Sequence, residues 1–151
     1  MANIVRLQSV IFDPGDESNQ FLAANSTAGA AVTFTGLVRS NRENPITSLT
    51  LEHYPALAQA QLEEFANNAA KRFNLLKVTV IHRFGKMRPN EPIVQVMTLA
   101  PHRRAAFEGA EYIMDFLKTD APFWKKETGA NGETWVEAKA KDDDAKDRWI
   151  K

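Results

Sequence analysis

"PIVQVMTLAPHRRAAFEGAEYIMDFLKTDAPFWKKE", residues 92–127, changes periodicity partway along, and that change decides the fold. Up to Ala100 the run is β-branched and apolar, the pattern of a strand. Pro101 then suits the first position of a helix, and Ala106, Phe107, Ala110, Ile113, Met114 and Leu117 recur on one face. Pro122 imposes a turn, after which the pair Phe123-Trp124 is followed by the pair Lys125-Lys126. A strand feeding an amphipathic helix that returns to strand-like chain predicts an α+β domain with antiparallel strands.

The flanking sequence supports this. Residues 55–73 form a second amphipathic helix, with Pro55 at its start and Ala58, Leu62, Phe65, Ala66, Ala69 and Phe73 on its inner face. Residues 30–38 read as a buried strand and 46–54 as another. "KVTVIHRFG" (77–85) and "PIVQVMTLA" (92–100) are strands around the turn "KMRPNE". "DPGDES" (13–18) reads as a turn, with a short helix after it ending near Gly29. Asn131-Gly132 signals a hairpin. The tail 138–151 is charged and reads as helical or as a frayed, flexible end, with Trp149 its anchor. All 151 residues are expected to form one domain with two main helices.

Composition narrows the function. Nineteen basic residues balance nineteen acidic ones, so any anion site is local rather than a general nucleic-acid or membrane affinity. No apolar run reaches the ~20 residues of a membrane span, and the N-terminus has strand-like alternation rather than a secretory core. The chain reads as cytoplasmic. Cysteine is absent, which removes thiolate nucleophiles and zinc–thiolate sites together. Sulfur chemistry here would need sulfur from elsewhere.

Three basic sites stand out. Arg39 follows a strand at the mouth of a polar loop, a good place for binding and an ordinary place for a solvated arginine. His102 and Arg103 fall in a first helical turn, where free N–H groups attract anions and cations are disfavoured without one. Lys118 ends the same helix, where the dipole alone would favour it. It is followed, beyond Pro122, by Phe123 and Trp124 as an apolar wall and by Lys125 and Lys126. Partial desolvation and a neighbouring cation would lower a lysine pKa and make the amine usable chemically. His53 and His82 lie in strand-like runs and read as structural histidines rather than metal ligands. No glycine-rich phosphate loop, zinc motif or serine elbow is present.

"VTFTGLVR" (32–39), "LTLEHYP" (49–55), "VTVIHRFG" (78–85), "HRRAAF" (102–107), "IMDFLKTDAPFWKKE" (113–127) and "WVEA" (135–138) together resemble the catalytic large subunit family of molybdopterin synthase. The resemblance implies an α+β fold with an α/β hammerhead portion. It implies a sulfurtransferase of molybdenum cofactor biosynthesis, converting cyclic pyranopterin monophosphate to the dithiolene of molybdopterin. Sulfur would arrive as a thiocarboxylate on the Gly-Gly C-terminus of a small ubiquitin-like sulfur-carrier subunit, in a heterotetramer built on a central homodimer. The same resemblance makes Lys118 and Lys125 catalytic. It assigns Arg39, His102 and Arg103 to substrate anion contacts, and Leu37, Val38, Lys126 and Glu127 to neighbouring substrate-binding segments. It implies no cofactor, no metal, no nucleic acid and no membrane partner. Two positions depart from the pattern: Asn90 stands where glycine is common, and Arg104 where a small residue is usual. A non-catalytic module that merely receives a carrier tail, and a single-stranded nucleic-acid binder using "FWKK", are the competing classes. The intact lysine pair disfavours the first, and the neutral charge the second.

Overall fold

The computed structural model describes residues 3–23, 25–120, 123–130, 132–136 and 140–150. In chain order the elements are β1 (Ile4–Gln8), α1 (Pro14–Leu22), β2 (Ala30–Leu37), β3 (Ser48–His53), α2 (Pro55–Phe73), β4 (Lys77–Arg83), β5 (Gly85–Met87), β6 (Pro92–Ala100), α3 (Arg103–Asp120), β7 (Phe123–Gly129), β8 (Gly132–Val136) and α4 (Ala140–Asp147). The expected turn Pro122 and the hairpin residue Asn131 lie outside the described residues, as do 138, 139 and 151 of the tail. The architecture is mixed α+β, as the periodicities predict.

Two four-stranded sheets form, in the orders β1-β4-β6-β2 and β5-β3-β7-β8. All pairings are antiparallel except β1 with β4, which is parallel. The first sheet is covered on both faces. Val78, Val80, Val94 and Val96 pack with Leu62, Phe65, Ala66 and Ala69 of α2 and with Ala110, Tyr112, Ile113 and Leu117 of α3. Ile81, Met97 and Leu99 face the other way, against Phe12 and Phe21. Fully buried side chains such as Leu62 and Ile113 each contribute roughly 2 kcal/mol to holding the helices down. A third cluster, Val38, Ile46, Leu49, Leu51 and Met87, binds the start of the 39–45 loop to the second sheet.

Four local expectations are corrected. The stretch 13–18 is not an isolated turn but the start of α1: Asp13 accepts hydrogen bonds from Gly15 N and Asp16 N, with Pro14 at the first helical position. That capping pattern begins the helix earlier than its apolar residues suggest, and it ends at Leu22 rather than near Gly29. β2 is an edge strand, not a buried one, and Phe34 and Leu37 stand exposed. The strand expected over 77–85 ends at Arg83, and Gly85 at φ 84° redirects the chain to the second sheet, where Lys86 and Met87, expected in the turn, pair with β3. α3 starts at Arg103, two residues after the Pro101 expected to open it, and buries Tyr112 while Phe107 stays 59% exposed. Asn90, at φ 75°, keeps its turn, as its tolerance of the left-handed region predicts.

The tail helix α4 leads to Trp149, whose Nε1 donates to Asp115 Oδ2 while its carbonyl accepts from Arg72. The Trp149 ring lies edge-on to Phe73 and Tyr112.

Two basic residues at the end of β4 are buried. Arg83 donates to the carbonyls of Ser9 and Pro92 and to Glu91. His82 has one ring nitrogen, Nδ1, 2.8 Å from the Arg83 carbonyl, and its ring stacks on Phe123 at 4.1 Å. Burial lowers its pKa from 6.5 to about 4, against the raising effect of that hydrogen bond, and the charges of Lys125 and Lys118 push the same way as burial. Between about pH 6.5 and 4 the unfolded chain binds a proton at His82 that the folded chain does not, so acidification through this window destabilises the fold. The slope from this residue is at most about 1.4 kcal/mol per pH unit, and it vanishes above about pH 6.5. Denaturant unfolding at a series of pH values should therefore show a shallower acid loss in His82→Phe than in the parent. Equal slopes would contradict the neutral, buried state.

Candidate functional site

Strand β7 organises the site. It runs in unbroken antiparallel register with β3, Phe123 opposite His53, Lys125 opposite Leu51 and Glu127 opposite Leu49. Side chains alternate along a strand, so Phe123, Lys125 and Glu127 share one face and Trp124 and Lys126 the other. Lys126 lies 3.6 Å from Glu133 and over the Trp135 ring, and Trp124 meets Tyr54 edge-on at 5.0 Å. Of the two aromatics expected to wall the lysines, Phe123 alone is on the Lys125 face.

Lys118 reaches the same region from the last turn of α3, where the C-terminal dipole favours a cation. Lys125 and Lys118 both act electrostatically on His82, so helix end and strand converge on one buried imidazole. His53 acts on it too, and its ring lies 4.2 Å from Phe84 and 6.0 Å from Phe123. Phe123, His82, His53 and Phe84 form a layer of rings whose buried imidazole feels the charge of both Lys125, half-buried on β7, and Lys118, exposed at the end of α3. Apolar surroundings of this kind strengthen any interaction the ammoniums make with an anion.

The loop after β2 is tied to this assembly. Val38 is buried, and its N–H donates to the Glu91 carbonyl while its own carbonyl accepts from Asn90 N. Ile46 N donates to Ser40 Oγ, and Asn44 Nδ2 donates to Glu127 Oε1 at 3.0 Å. Arg39, exposed between Val38 and Ser40, is therefore carried on a loop whose far side is bound to β7. Leu37, at the strand end, is exposed too. Arg39, Lys118, Lys125 and Glu127 belong to linked elements; Val38 serves as the buried anchor.

His102 and Arg103 do not join them. Both are exposed at the start of α3, and the 18 residues of that helix span about 27 Å. Arg104 lies along the helix surface, donating to Glu108 one turn on. The chain therefore carries two separate basic centres, one at each end of α3.

His82 is the residue that sequence reasoning places only as structural. Its proximity to the lysines depends on β3–β7 pairing, which no local pattern announces. Among the described residues no cluster of histidine or carboxylate side chains is arranged to hold a metal ion, and no helix is long and apolar enough to cross a membrane.

Comparison with known proteins identifies the family and agrees with the fold. The family model "MoaE protein" matches residues 8–120. A molybdopterin synthase catalytic subunit from Rhizobium meliloti is 50% identical over 149 residues, covering 97% of this chain and 96% of its own. The same subunit from Escherichia coli is 46% identical over 139 residues, covering 91% and 92%. Among solved structures, the molybdopterin biosynthesis MoaE protein from Burkholderia ambifaria superposes with a TM-score of 0.83 at 41% identity, over 99% of both chains. Molybdopterin synthase from Staphylococcus aureus does so at 0.79 and 25% identity, over 87% of this chain and 96% of that one. With a family match over three quarters of its length and close relatives along nearly all of it, the chain belongs to the MoaE family, the catalytic subunits of molybdopterin synthase.

Proposed function

We propose that this chain transfers sulfur from a thiocarboxylated small ubiquitin-like subunit to cyclic pyranopterin monophosphate, in the cytoplasm, with Lys118 and Lys125 as its catalytic residues. What supports the reading is that Lys118, in the last turn of α3, and Lys125, on β7, both bear electrostatically on the buried His82. A chain with no cysteine has no thiol of its own to give, so the sulfur must be delivered. A thiocarboxylate is an anion, and two ammoniums over an apolar floor would hold it and stabilise charge developing on the attacked pterin. Either amine is also placed to move protons during the two transfers. In Helicobacter pylori, subunits 1 and 2 of molybdopterin-converting factor have been solved as a protein–protein complex; a two-subunit assembly of that kind suits a delivered sulfur.

Arg39, with Leu37 and Val38 beside it, and Glu127 line the same side in this reading. Lys126 borders it from the opposite face of β7. His102 and Arg103 contribute substrate anion contacts, but at the far end of α3. Arg103 and Lys118 are fifteen helical steps apart, roughly 22 Å, more than one small pterin monophosphate can bridge. We infer that the site is completed by a second copy of the chain, the start of α3 in one subunit facing the lysines of the other about a twofold axis.

Lys118→Ala should leave the fold intact and remove nearly all molybdopterin formation when thiocarboxylated partner is supplied, and Lys125→Ala should be severely impaired. Near-normal turnover by folded Lys118→Ala would refute the catalytic assignment. Mixing Lys118→Ala with His102→Ala, each nearly inactive, should restore about a quarter of parental activity once subunits exchange, because half the dimers are mixed and each has one intact site. Confirmed exchange without recovery would exclude the shared site.

A further inference from the structure

β2 closes one side of the first sheet, and among the described residues it pairs with β6 alone. Its sequence, AAVTFTGL, has no charge and no proline, and its pairing is regular until a shift between Gly36 and Leu37. Proteins ordinarily guard such an edge with charges, prolines, brevity or a cover. The opposite edge is guarded in this way, since β1 has five residues with Arg6 in the middle. β2 has eight and leaves Thr33, Phe34 and Leu37 exposed.

The helix above β2 presents a matching flank. α2 packs over β1 and β4, and α3 over β6 and β2. Tyr112 and Phe116 turn toward α2, where they meet Phe73 and Phe65. At about 3.6 residues per turn, Arg103, Phe107, Met114 and Lys118 fall on the opposite flank, overhanging the edge of β2. Phe107 is exposed there. Val32 packs into the core with α3, so Phe34, two residues on, faces the same side beneath this flank and is 40% exposed. Thr98 Oγ donates to the Ala106 carbonyl, and Thr98 pairs with Val32, which fixes helix and strand lengthwise. The midpoint between Arg103 and Lys118 lies about 7 Å beyond Ala106, level with Phe34.

We propose that two copies of this chain join edge to edge through β2, the strands pairing antiparallel about a twofold axis near Phe34 and the two α3 helices packing along the Arg103–Phe107–Met114–Lys118 flank. The inference rests on the reading that the site is shared, and deepens it by naming the surface that shares it. A second copy is the occupant because the patch complements itself. A twofold axis normal to the sheet reverses the strand, keeps both helices on one face and brings each helix start level with the other's end. Strands about 4.8 Å apart put a helix seated between β2 and β6 about 5 Å from that axis. The two helices then lie about 10 Å apart, a distance at which helices pack. Strand and helix are both about 27 Å long, and the strip they form, about 20 Å high, has an outline on the order of 500 Å². Side-chain relief brings that toward the ~800 Å² per partner of a standard interface. Between its ends the flank carries no charge, and Glu111 beside it is paired with Arg148 of the tail. Arg103 of one copy meets Lys118 of the other at each end, where an anionic substrate would lie between them.

The native chain has no cysteine, so single labels report one position each. Nitroxides at Thr33→Cys, on the face of β2 away from α3, should lie within about 10 Å of each other and show strong dipolar broadening. Nitroxides at Ile4→Cys, on the far edge, should be seven strand spacings apart in the joined sheet, roughly 30–35 Å by pulsed EPR. Phe107→Asp alters a side chain that is exposed within one chain, so the variant should keep the parental circular dichroism. It should nevertheless sediment as a monomer and lose the broadening at Thr33→Cys. A monomeric parent, or a dimer whose Thr33→Cys labels stay unbroadened, would overturn the proposal, as would a Phe107→Asp protein that keeps both the dimer and the broadening. Exchange of Lys118→Ala with His102→Ala judges the shared site separately. Recovered activity without broadening at Thr33→Cys would overturn this surface and keep the shared site. Broadening without recovery would keep this surface and remove the shared site.

Discussion

Eighteen residues from Arg103 to Asp120, seated on the first sheet by Ala106, Ala110, Ile113 and Leu117, form a strut whose ends cannot approach each other. Its length is set by backbone hydrogen bonding at about 1.5 Å per residue, and its seat by close packing against β6 and α2. The placement of the basic groups follows. Lys118 is held at the C-terminal end, beside β7, and His102 with Arg103 at the N-terminal end, in open solvent. A reaction needing both groups must therefore be run by more than one chain.

The second sheet supplies the other half of the chemistry. β3 lies between β5 and β7, and its register with β7 brings Phe123 opposite His53 and Lys125 opposite Leu51. The same strand buries Leu49 and Leu51 with Val38 and Ile46, so the loop carrying Arg39 and the strand carrying Lys125 are joined through β3. Both lysines thus stand on regular elements, Lys118 exposed at the end of α3 and Lys125 half-buried on β7.

Much of this is legible in the sequence, where the controlling interactions are local. α2 begins at Pro55 and ends at Phe73 as its apolar spacing predicts, and the β6-to-α3 succession follows from the change of period at Pro101. The start of α1 escapes apolar spacing because the cap at Asp13 sets it, although Asp-Pro is itself a helix-start signal. The sequence of β2 suggests burial because β-branched residues mark strands, not their position in a sheet; only the pairing order shows it at an edge. The opposite facing of Lys125 and Lys126 follows from strand alternation alone. The stacking of His82 on Phe123 does not: it depends on β4 and β7 meeting through tertiary packing that no window of sequence contains.

The two basic centres are distant within a chain and, if the site is shared, adjacent between chains. The lack of native cysteine makes this directly measurable with nitroxide labels placed at Arg104→Cys and Asp120→Cys. Sixteen helical steps separate these positions by roughly 24 Å within one chain. Doubly labelled chains diluted into excess unlabelled protein should give spectra without strong dipolar broadening. Singly labelled Arg104→Cys and Asp120→Cys chains, mixed and exchanged, should show broadening that neither shows alone. Broadening in the diluted double label, or none in the exchanged mixture, would contradict the account.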